Sequence, residues 1–251
     1  MIDLRKGNCL EVMKTIKDNS IDAIITDPPY GTTACKWDAI IDFDLMWKQL
    51  NRIIKPNGAI VLFGSEPFSS ALRMSNIKNY KYDWVWNKNT CTGSLLAKKR
   101  PMKSHEIISV FYKKQCNYNR QMIERTEKEL KRLSKKSVKT EGTEFQKTGG
   151  HTANRYDNLY KSPIDVLNFN TVFNRSKDKN GHPTQKPVEL MEYLIKTYTN
   201  ENETVLDFTM GSGSTMVAAQ NLKRNGIGIE QDEKYFKIAE QRIKENEFKL
   251  F

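Results

Sequence analysis

Over residues 1 to about 113, short apolar runs alternate with helical stripes. Ile21-Asp22-Ala23-Ile24-Ile25-Thr26 reads as a buried strand that ends at Asp27-Pro28-Pro29. Across residues 43–54, apolar side chains at 43, 46, 47, 50, 53 and 54 make a helical stripe, and Pro56-Asn57-Gly58 is the expected stop. Residues 59–63 form the next expected strand, and residues 82–86 and 106–112 two more. Strands alternating with helices imply crossover connections and a mainly parallel sheet.

Residues from about 114 to 175 break that rhythm. Residues 119–139 read as a charge-rich helical stretch, and residues 141–158 are rich in Gly, Thr and Asn with no apolar period. The region reads as an insertion; by pattern alone it is also a solvated helix followed by a loop. The rhythm then returns. Pro187 stands at a first-helical-turn position, followed by Val188, Met191, Leu194, Ile195 and Tyr198 on one face. Residues 204–207 read as a strand, then a glycine turn and a helix through Leu222. Residues 226–230 are the next strand, and Asp232 caps a last helix carrying Tyr235, Ile238, Ala239, Arg242 and Ile243.

Length and charge narrow the classes. The 251 residues suit one large α/β domain with an inserted module. No run approaches 18 apolar residues, so a membrane span is not expected, and the opening Met-Ile-Asp-Leu-Arg-Lys-Gly lacks the apolar core of a signal peptide. Cys9, Cys35, Cys91 and Cys116 are widely spaced, with no CxxC, so neither a structural zinc site nor a disulfide framework is expected and the cytosol is the natural compartment. The net charge is +11, and residues 101–161 hold 14 Lys or Arg against 7 Asp or Glu. That excess points to a polyanionic partner, or to a basic enzyme of the ordinary kind.

Two blocks carry chemistry. Asp207-Phe208-Thr209-Met210-Gly211-Ser212-Gly213 lies between a strand and a helix, where glycines at 211 and 213 let the backbone turn sharply against a ligand. The third glycine of a dinucleotide fingerprint would fall at Met216, which disfavours a pyrophosphate. Glu230 ends the following strand, where a carboxylate can accept from both ribose hydroxyls. Together these specify a nucleoside without a diphosphate, and S-adenosylmethionine fits; a lone GxG is also an ordinary strand-to-helix turn. The second block, Asp27-Pro28-Pro29-Tyr30, sits at the carboxyl end of a strand, where open α/β sheets bind ligands. The exocyclic amine of a nucleobase is a poor nucleophile because its lone pair is delocalised into the ring. Asp27 and the Pro28 carbonyl can accept its two N–H hydrogens and localise that pair. Pro29 stiffens the loop, and Tyr30 offers a face for an extruded base. In isolation the same block is a rigid turn.

In order and content the chain resembles the β group of DNA amino-methyltransferases, which methylate adenine N6 or cytosine N4. In that group the catalytic block comes first, a target-recognition insertion follows, and the cofactor motif comes last, as here with Asp27 to Tyr30, the basic insertion and Asp207 to Gly213. Arg5-Lys6-Gly7-Asn8-Cys9 looks like the opening block near the cofactor adenine, with Asn8 where Asp is usual. Phe63-Gly64-Ser65-Glu66-Pro67-Phe68 and His105-Glu106 resemble the middle blocks, and His182-Pro183-Thr184-Gln185-Lys186-Pro187 the motif before the cofactor strand. The cofactor motif reads Asp-Phe-Thr-Met-Gly where Asp-Pro-Phe-x-Gly is common. The likeness covers residues 3–113 and 175–246.

The resemblance implies a Rossmann-like S-adenosylmethionine-dependent fold, a mostly parallel doubly wound sheet with one antiparallel strand. Residues 1–113 and 176–251 would form the catalytic domain and 114–175 the inserted target-recognition region. It assigns catalysis to Asp27, Pro28, Pro29 and Tyr30. Cofactor binding falls to Asn8, Cys9, Thr184, Gln185, Lys186, Asp207, Phe208, Met210, Gly211, Ser212, Gly213 and Glu230, with Thr184 and Lys186 meeting the methionine carboxylate. An Asp at the first catalytic position goes with adenine N6 and a Ser with cytosine N4, so Asp27 favours adenine; N4-cytosine is the alternative. Cytosine C5 chemistry needs a Cys after a Pro, and no Cys here follows one.

Lys88, Lys98, Lys99, Arg100 and Lys103 form an acid-free basic run that, with Arg120, Lys135 and Lys136 of the insertion, is expected to meet DNA phosphates. Base readout is placed within about 114–175. Trp47, Trp84 and Trp86 read as core or platform residues, and His151 and His182 as structural. Double-stranded DNA is the expected partner, with neither metal nor membrane, in a bacterial or phage cytoplasm; related enzymes include dimers. Two rivals stand. A protein-glutamine or RNA amine methyltransferase would carry the two motifs in the reverse order. A silent DNA-binding relative would have a degraded Asp27, Tyr30 or glycine turn, and all are intact.

Overall fold

Apolar runs that lack the polar alternation of a half-exposed strand require cover on both faces, and the chain supplies it. The computed structural model describes residues 1–32, 38–134, 159–172 and 184–247. In chain order the elements are β1 (Ile2–Lys6), α1 (Cys9–Met13), β2 (Ile21–Thr26), α2 (Phe43–Ile53), β3 (Ile54–Gly64), α3 (Phe68–Ser75), β4 (Tyr80–Thr92) and β5 (Lys103–Phe111). There follow β6 (Ile123–Glu124), α4 (Glu127–Ser134), β7 (Tyr160–Lys161), β8 (Val166–Asn168), α5 (Val188–Tyr198), β9 (Thr204–Asp207), α6 (Ser214–Asn221), β10 (Asn225–Glu230) and α7 (Glu233–Glu247). The chain divides into two units, Met1–Asn119 with Asp165–Phe251, and Arg120–Ile164.

The larger unit is built on an eight-stranded sheet in the order β1-β10-β9-β2-β3-β5-β4-β8. Only the pairings of β5 with β3 and with β4 are antiparallel, so β5 alone runs against the rest. Ala23, Ile25, Val61 and Phe63 face α5 and α6 on one side, while Ile24, Ile60, Leu62 and Leu206 face α1, α2 and α3 on the other. Trp47, Trp84 and Trp86 are core. Trp84 Nε1 donates to the hydroxyl of Tyr198 (2.7 Å), Trp86 Nε1 to the Phe169 carbonyl (2.8 Å) and Trp47 Nε1 to Ser75 Oγ (2.7 Å), so each indole N–H is satisfied in burial.

The structure departs from the sequence expectations in several places. Pro56-Asn57-Gly58 does not form a loop: α2 runs directly into β3, whose register slips from Ile21↔Ile54 to Ala23↔Ala59. A Cβ on Gly58 would lie 2.8 Å from the Asp22 carbonyl, so the bulge needs glycine there. β4 and β5 extend well past residues 82–86 and 106–112 as a polar hairpin, whose side chains give no apolar period. β1, α1 and α3 are short and went unanticipated. Val166–Asn168, within the expected insertion of 114–175, adds the edge strand β8 beside β4.

In the smaller unit, β6 and β7 pair antiparallel. The expected helix over 119–139 begins only at Glu127, where Thr126 and Glu129 form a reciprocal cap (Thr126 N–H to Glu129 Oε2, 2.9 Å). Residues 135–139 and 141–158 lie outside the described residues. No helix among the described residues is long and apolar enough to cross a membrane.

The turn into α6 depends on Gly213, which sits at φ +79° with its α-carbon against α7; a Cβ there would lie 3.0 Å from Ala239 Cβ and 3.3 Å from Ala239 Cα. Gly93 also has positive φ (+88°) but open space around it. Gly213→Ala is expected to lower the stability measured by urea unfolding by about 1–3 kcal/mol, and Gly93→Ala by less, because only the first adds a clash to backbone strain. Equal losses would show that the α6–α7 contact is not tight.

Candidate active site

Because β2, β9 and β10 are parallel neighbours, the loops that follow Thr26, Asp207 and Glu230 emerge on one edge of the sheet. They enclose a cavity of about 390 Å³. Its lining joins blocks far apart in the chain: Asn8 and Cys9, residues 27–30, Asp38, residues 184–186, residues 207–212 and Glu230. The expected catalytic and cofactor residues therefore meet in one cavity, with a single departure. Gly213 is outside the lining and serves the turn beneath it.

The catalytic loop is held from both sides. Thr26 Oγ1 donates to Asp207 Oδ1 (2.5 Å), and Thr209 Oγ1 donates to the Asp27 carbonyl (3.1 Å), so the glycine turn and the catalytic loop are tied together. Asp207 also accepts from Thr215 Oγ1 (2.5 Å) and the Thr209 N–H (3.1 Å). With both oxygens engaged, Asp207 acts as a latch between strand ends; burial pushes its carboxyl up to about 6 against these donors. Beyond the loop, one carboxylate gathers three backbone N–H groups: Asp38 accepts from Tyr30 (2.7 Å), Gly31 (2.9 Å) and Thr32 (2.9 Å). Asp38 was not anticipated, because an acid eight residues past the motif has no pattern of its own.

The catalytic carboxylate belongs to a buried charge cluster. Lys186 Nζ donates to Asp27 Oδ2 and lies 3.4 Å from Glu106 Oε2, while Lys88 pairs with Glu106 Oε1. Tyr30 donates its hydroxyl to Asp27 Oδ1, and its ring packs on Phe68 at 5.1 Å. Burial pushes the Asp27 carboxyl above its ordinary range; the Lys186 ammonium opposes that and the Glu106 charge adds to it. Glu106 is pushed up by burial too, but Lys186 and Lys88 outweigh it and hold the group below its usual value. Burial pulls Lys186 down, and the two carboxylates more than restore it, so it stays an ammonium. Burial and the Asp27 charge keep Tyr30 protonated. Lys186, which the resemblance assigns to the methionine carboxylate of the cofactor, is shared between two acids of the protein. Lys88, expected at DNA, is taken by Glu106 and by the Trp86 ring (5.2 Å).

At the other end of the cavity Asn8 caps α1, accepting from the Leu10 N–H (2.9 Å). Glu230 Oε2 accepts from the Gly211 N–H (2.9 Å) and Oε1 from the Asp232 N–H (2.8 Å), which fixes the carboxylate at the strand end. That donor set and a volume in the range of small-molecule sites fit a nucleoside. Burial raises the Cys9 thiol to about 11, so it lines the cavity as a neutral group. Among the described residues no group of three or more His, Cys, Asp or Glu is placed to hold a metal. Lys98, Lys99 and Arg100 are exposed at the β4–β5 turn, Lys103 donates to Ser65 Oγ, and Arg120 is exposed in the smaller unit. Cys35, Lys135, Lys136, His151 and His182 lie outside the described residues.

A family model described as DNA methylase matches residues 21–241. The Type II methyltransferase M.HinfI of Haemophilus influenzae is 30% identical over 96% of this chain and 67% of its own, and M.HpaI of Haemophilus parainfluenzae is 28% identical over 98% and 74%. The crystal structure of the M1.HpyAVI-SAM complex superposes with a TM-score of 0.62 at 28% identity, covering 96% of this chain and all of that one. The PvuII cytosine-N4 DNA methyltransferase shares the fold, with a TM-score of 0.66 at 16% identity. The chain belongs to the N6/N4 DNA methylase family and is a DNA methyltransferase that uses S-adenosylmethionine.

Proposed function

We propose that the enzyme methylates the exocyclic N6 of adenine at a specific site in double-stranded DNA, on a base extruded from the helix. The observation that supports this most is that Asp27 and Pro28 both line the cavity, since an Asp at that position accompanies adenine in related enzymes. A bacterial or phage cytoplasm, where such DNA lies, is the compartment this reading implies. N4 of cytosine is the same chemistry with a different ring, and fold likeness to a cytosine-N4 enzyme at 16% identity does not favour it.

Asp27 and the Pro28 carbonyl accept the two amine hydrogens, which draws the nitrogen lone pair out of conjugation. Asp38 aims the loop by holding three successive amides, and Tyr30, seated on Phe68, provides the stacking face. Asn8, Glu230 and the glycine turn would hold the nucleoside of the cofactor, while Thr184 and Lys186 stand toward its amino-acid end. When bound, S-adenosylmethionine supplies a methyl group on a sulfonium, so transfer is an in-line displacement dominated by positioning and electrostatics. A carboxyl held above its ordinary range suits Asp27 to take up the proton that leaves the amine. Lys98, Lys99 and Arg100 would neutralise phosphates, with affinity that falls steeply as salt rises.

Plasmid DNA treated with the enzyme and labelled S-adenosylmethionine, digested and read by nucleoside mass spectrometry, is expected to contain N6-methyladenine. Asp27→Ala should reduce it by about 10²–10³-fold, the scale lost with one aimed hydrogen-bonding group. N4-methylcytosine in its place would keep the mechanism and refute the base. For Asp38→Ala, kcat should fall by about 10-fold to 100-fold, as expected for a displaced reacting loop, with cofactor affinity unchanged, and Asp38→Asn should recover part of the loss. An unaffected kcat would show that the three amides hold the loop without their carboxylate.

A further inference from the structure

The β4–β5 hairpin projects past the sheet on the edge that carries Asp27. β3 ends at Gly64, paired with Ile107, yet β5 continues outward through Glu106 and His105 to Lys103, paired with Trp86, Asn87 and Thr92. Those four further residues of β5 reach about 13 Å beyond the end of β3 before the turn begins. Glu106, at the root of this projection, is the residue that shares Lys186 with Asp27. The hairpin is therefore joined at its root, through Glu106, to the Lys186 that lines the cavity and pairs with Asp27.

Its tip is ordered by its own backbone. Gly93 turns with φ +88°, residues Ser94–Leu96 form a 3-10 turn, and the N–H groups of Leu96, Ala97, Lys99 and Arg100 all bond within the tip at 2.8–3.1 Å. That turn presents Leu95 at 98% exposure, more than any other large apolar side chain described, with Leu96 (39%) beside it. Lys98, Lys99 and Arg100 follow immediately, and no acid stands between Lys88 and His105. A second copy of this chain would bring the same cations against them, and the chain as a whole is at +11. A bare apolar side chain framed by cations matches a surface of closely spaced negative charge that encloses apolar layers: the phosphates and stacked bases of a duplex.

We propose that Leu95 is a wedge that enters the base stack next to the target while Lys98, Lys99 and Arg100 hold the flanking phosphates, so that the hairpin tip helps to hold the target base out of the helix. This rests on the reading of the protein as a DNA methyltransferase that extrudes its base. Phosphate contacts alone give affinity without opening the helix, whereas an apolar side chain inserted at a base step occupies the space and the stacking surface that the departing base leaves.

The test uses the full-length enzyme. The modified position is first mapped by sequencing plasmid that the wild type has methylated, and 2-aminopurine is placed there in a synthetic duplex, where its fluorescence rises on unstacking. Leu95→Ala removes a side chain that contacts little in the protein, so the thermal midpoint and cofactor affinity should stay as in the wild type. Duplex affinity is expected to remain within about twofold, since the phosphate contacts are kept, while the fluorescence rise is lost and turnover falls about tenfold. Leu95→Phe, still an apolar wedge, should restore both, and a mismatch opposite the target should rescue the alanine variant because the pair is already broken. Unchanged fluorescence and turnover in Leu95→Ala would overturn the proposal. So would a loss of affinity that accounts for the whole effect and persists on the mismatched duplex. A wild type that methylates DNA with no fluorescence rise would instead refute base extrusion itself, and the wedge with it.

Discussion

The site hangs on one buried ammonium. Lys186 lies between Asp27 and Glu106, with Lys88 on the far side of Glu106, so two acids and two bases balance where neither acid could stay ionised alone at little cost. The arrangement joins four stretches of chain: the loop after β2, the strands β4 and β5, and the segment leading into α5. It also sets the state of the catalytic acid. Burial drives Asp27 toward the neutral form, Lys186 drives it back, and Glu106 tips the outcome upward.

Around that cluster the scaffold works by alignment. Parallel strands deliver the catalytic loop, the glycine turn and Glu230 to one edge; Thr26 and Thr215 bond Asp207 through their hydroxyls, and the Thr209 hydroxyl ties the glycine turn to the Asp27 carbonyl. Two side-chain hydroxyls and one backbone N–H on a single buried carboxylate make the latch stiff, and Asp38 stiffens the loop from its other end. The antiparallel strand β5 has a different task. By running against its neighbours it forms a hairpin with β4 that leaves the sheet at the active edge and bears the cations expected at DNA.

What was legible in the sequence was local. Asp27-Pro28-Pro29-Tyr30 after a buried run, the glycine turn after residues 204–207, and Glu230 at the end of the next run each announce themselves through backbone demands that neighbouring residues reveal. The two-sided core was legible too, because unbroken apolar strands need cover on both faces. Tertiary pairings were not. Nothing around Lys186 in the sequence shows its partners, because Asp27 is 159 positions away and Glu106 lies on a strand whose outer half is polar. Asp38 and the three threonines carry no periodicity, and their roles appear only when the strand ends meet. Pro56-Asn57-Gly58 misled because a turn-forming triplet can equally be absorbed as a bulge when strand pairing continues on both sides.

The central claim is that the ionised Asp27 within this cluster governs methyl transfer, and a pH profile of single-turnover rates in the wild type and Glu106→Gln addresses it directly. A carboxyl raised by burial and by Glu106 makes the wild-type rate climb with pH along a limb above the ordinary carboxylate range. Removing the Glu106 charge leaves Lys186 to Asp27 alone, which lowers the Asp27 pKa and must carry the limb to lower pH. A limb that stays in place in a folded, cofactor-binding Glu106→Gln enzyme would contradict the account.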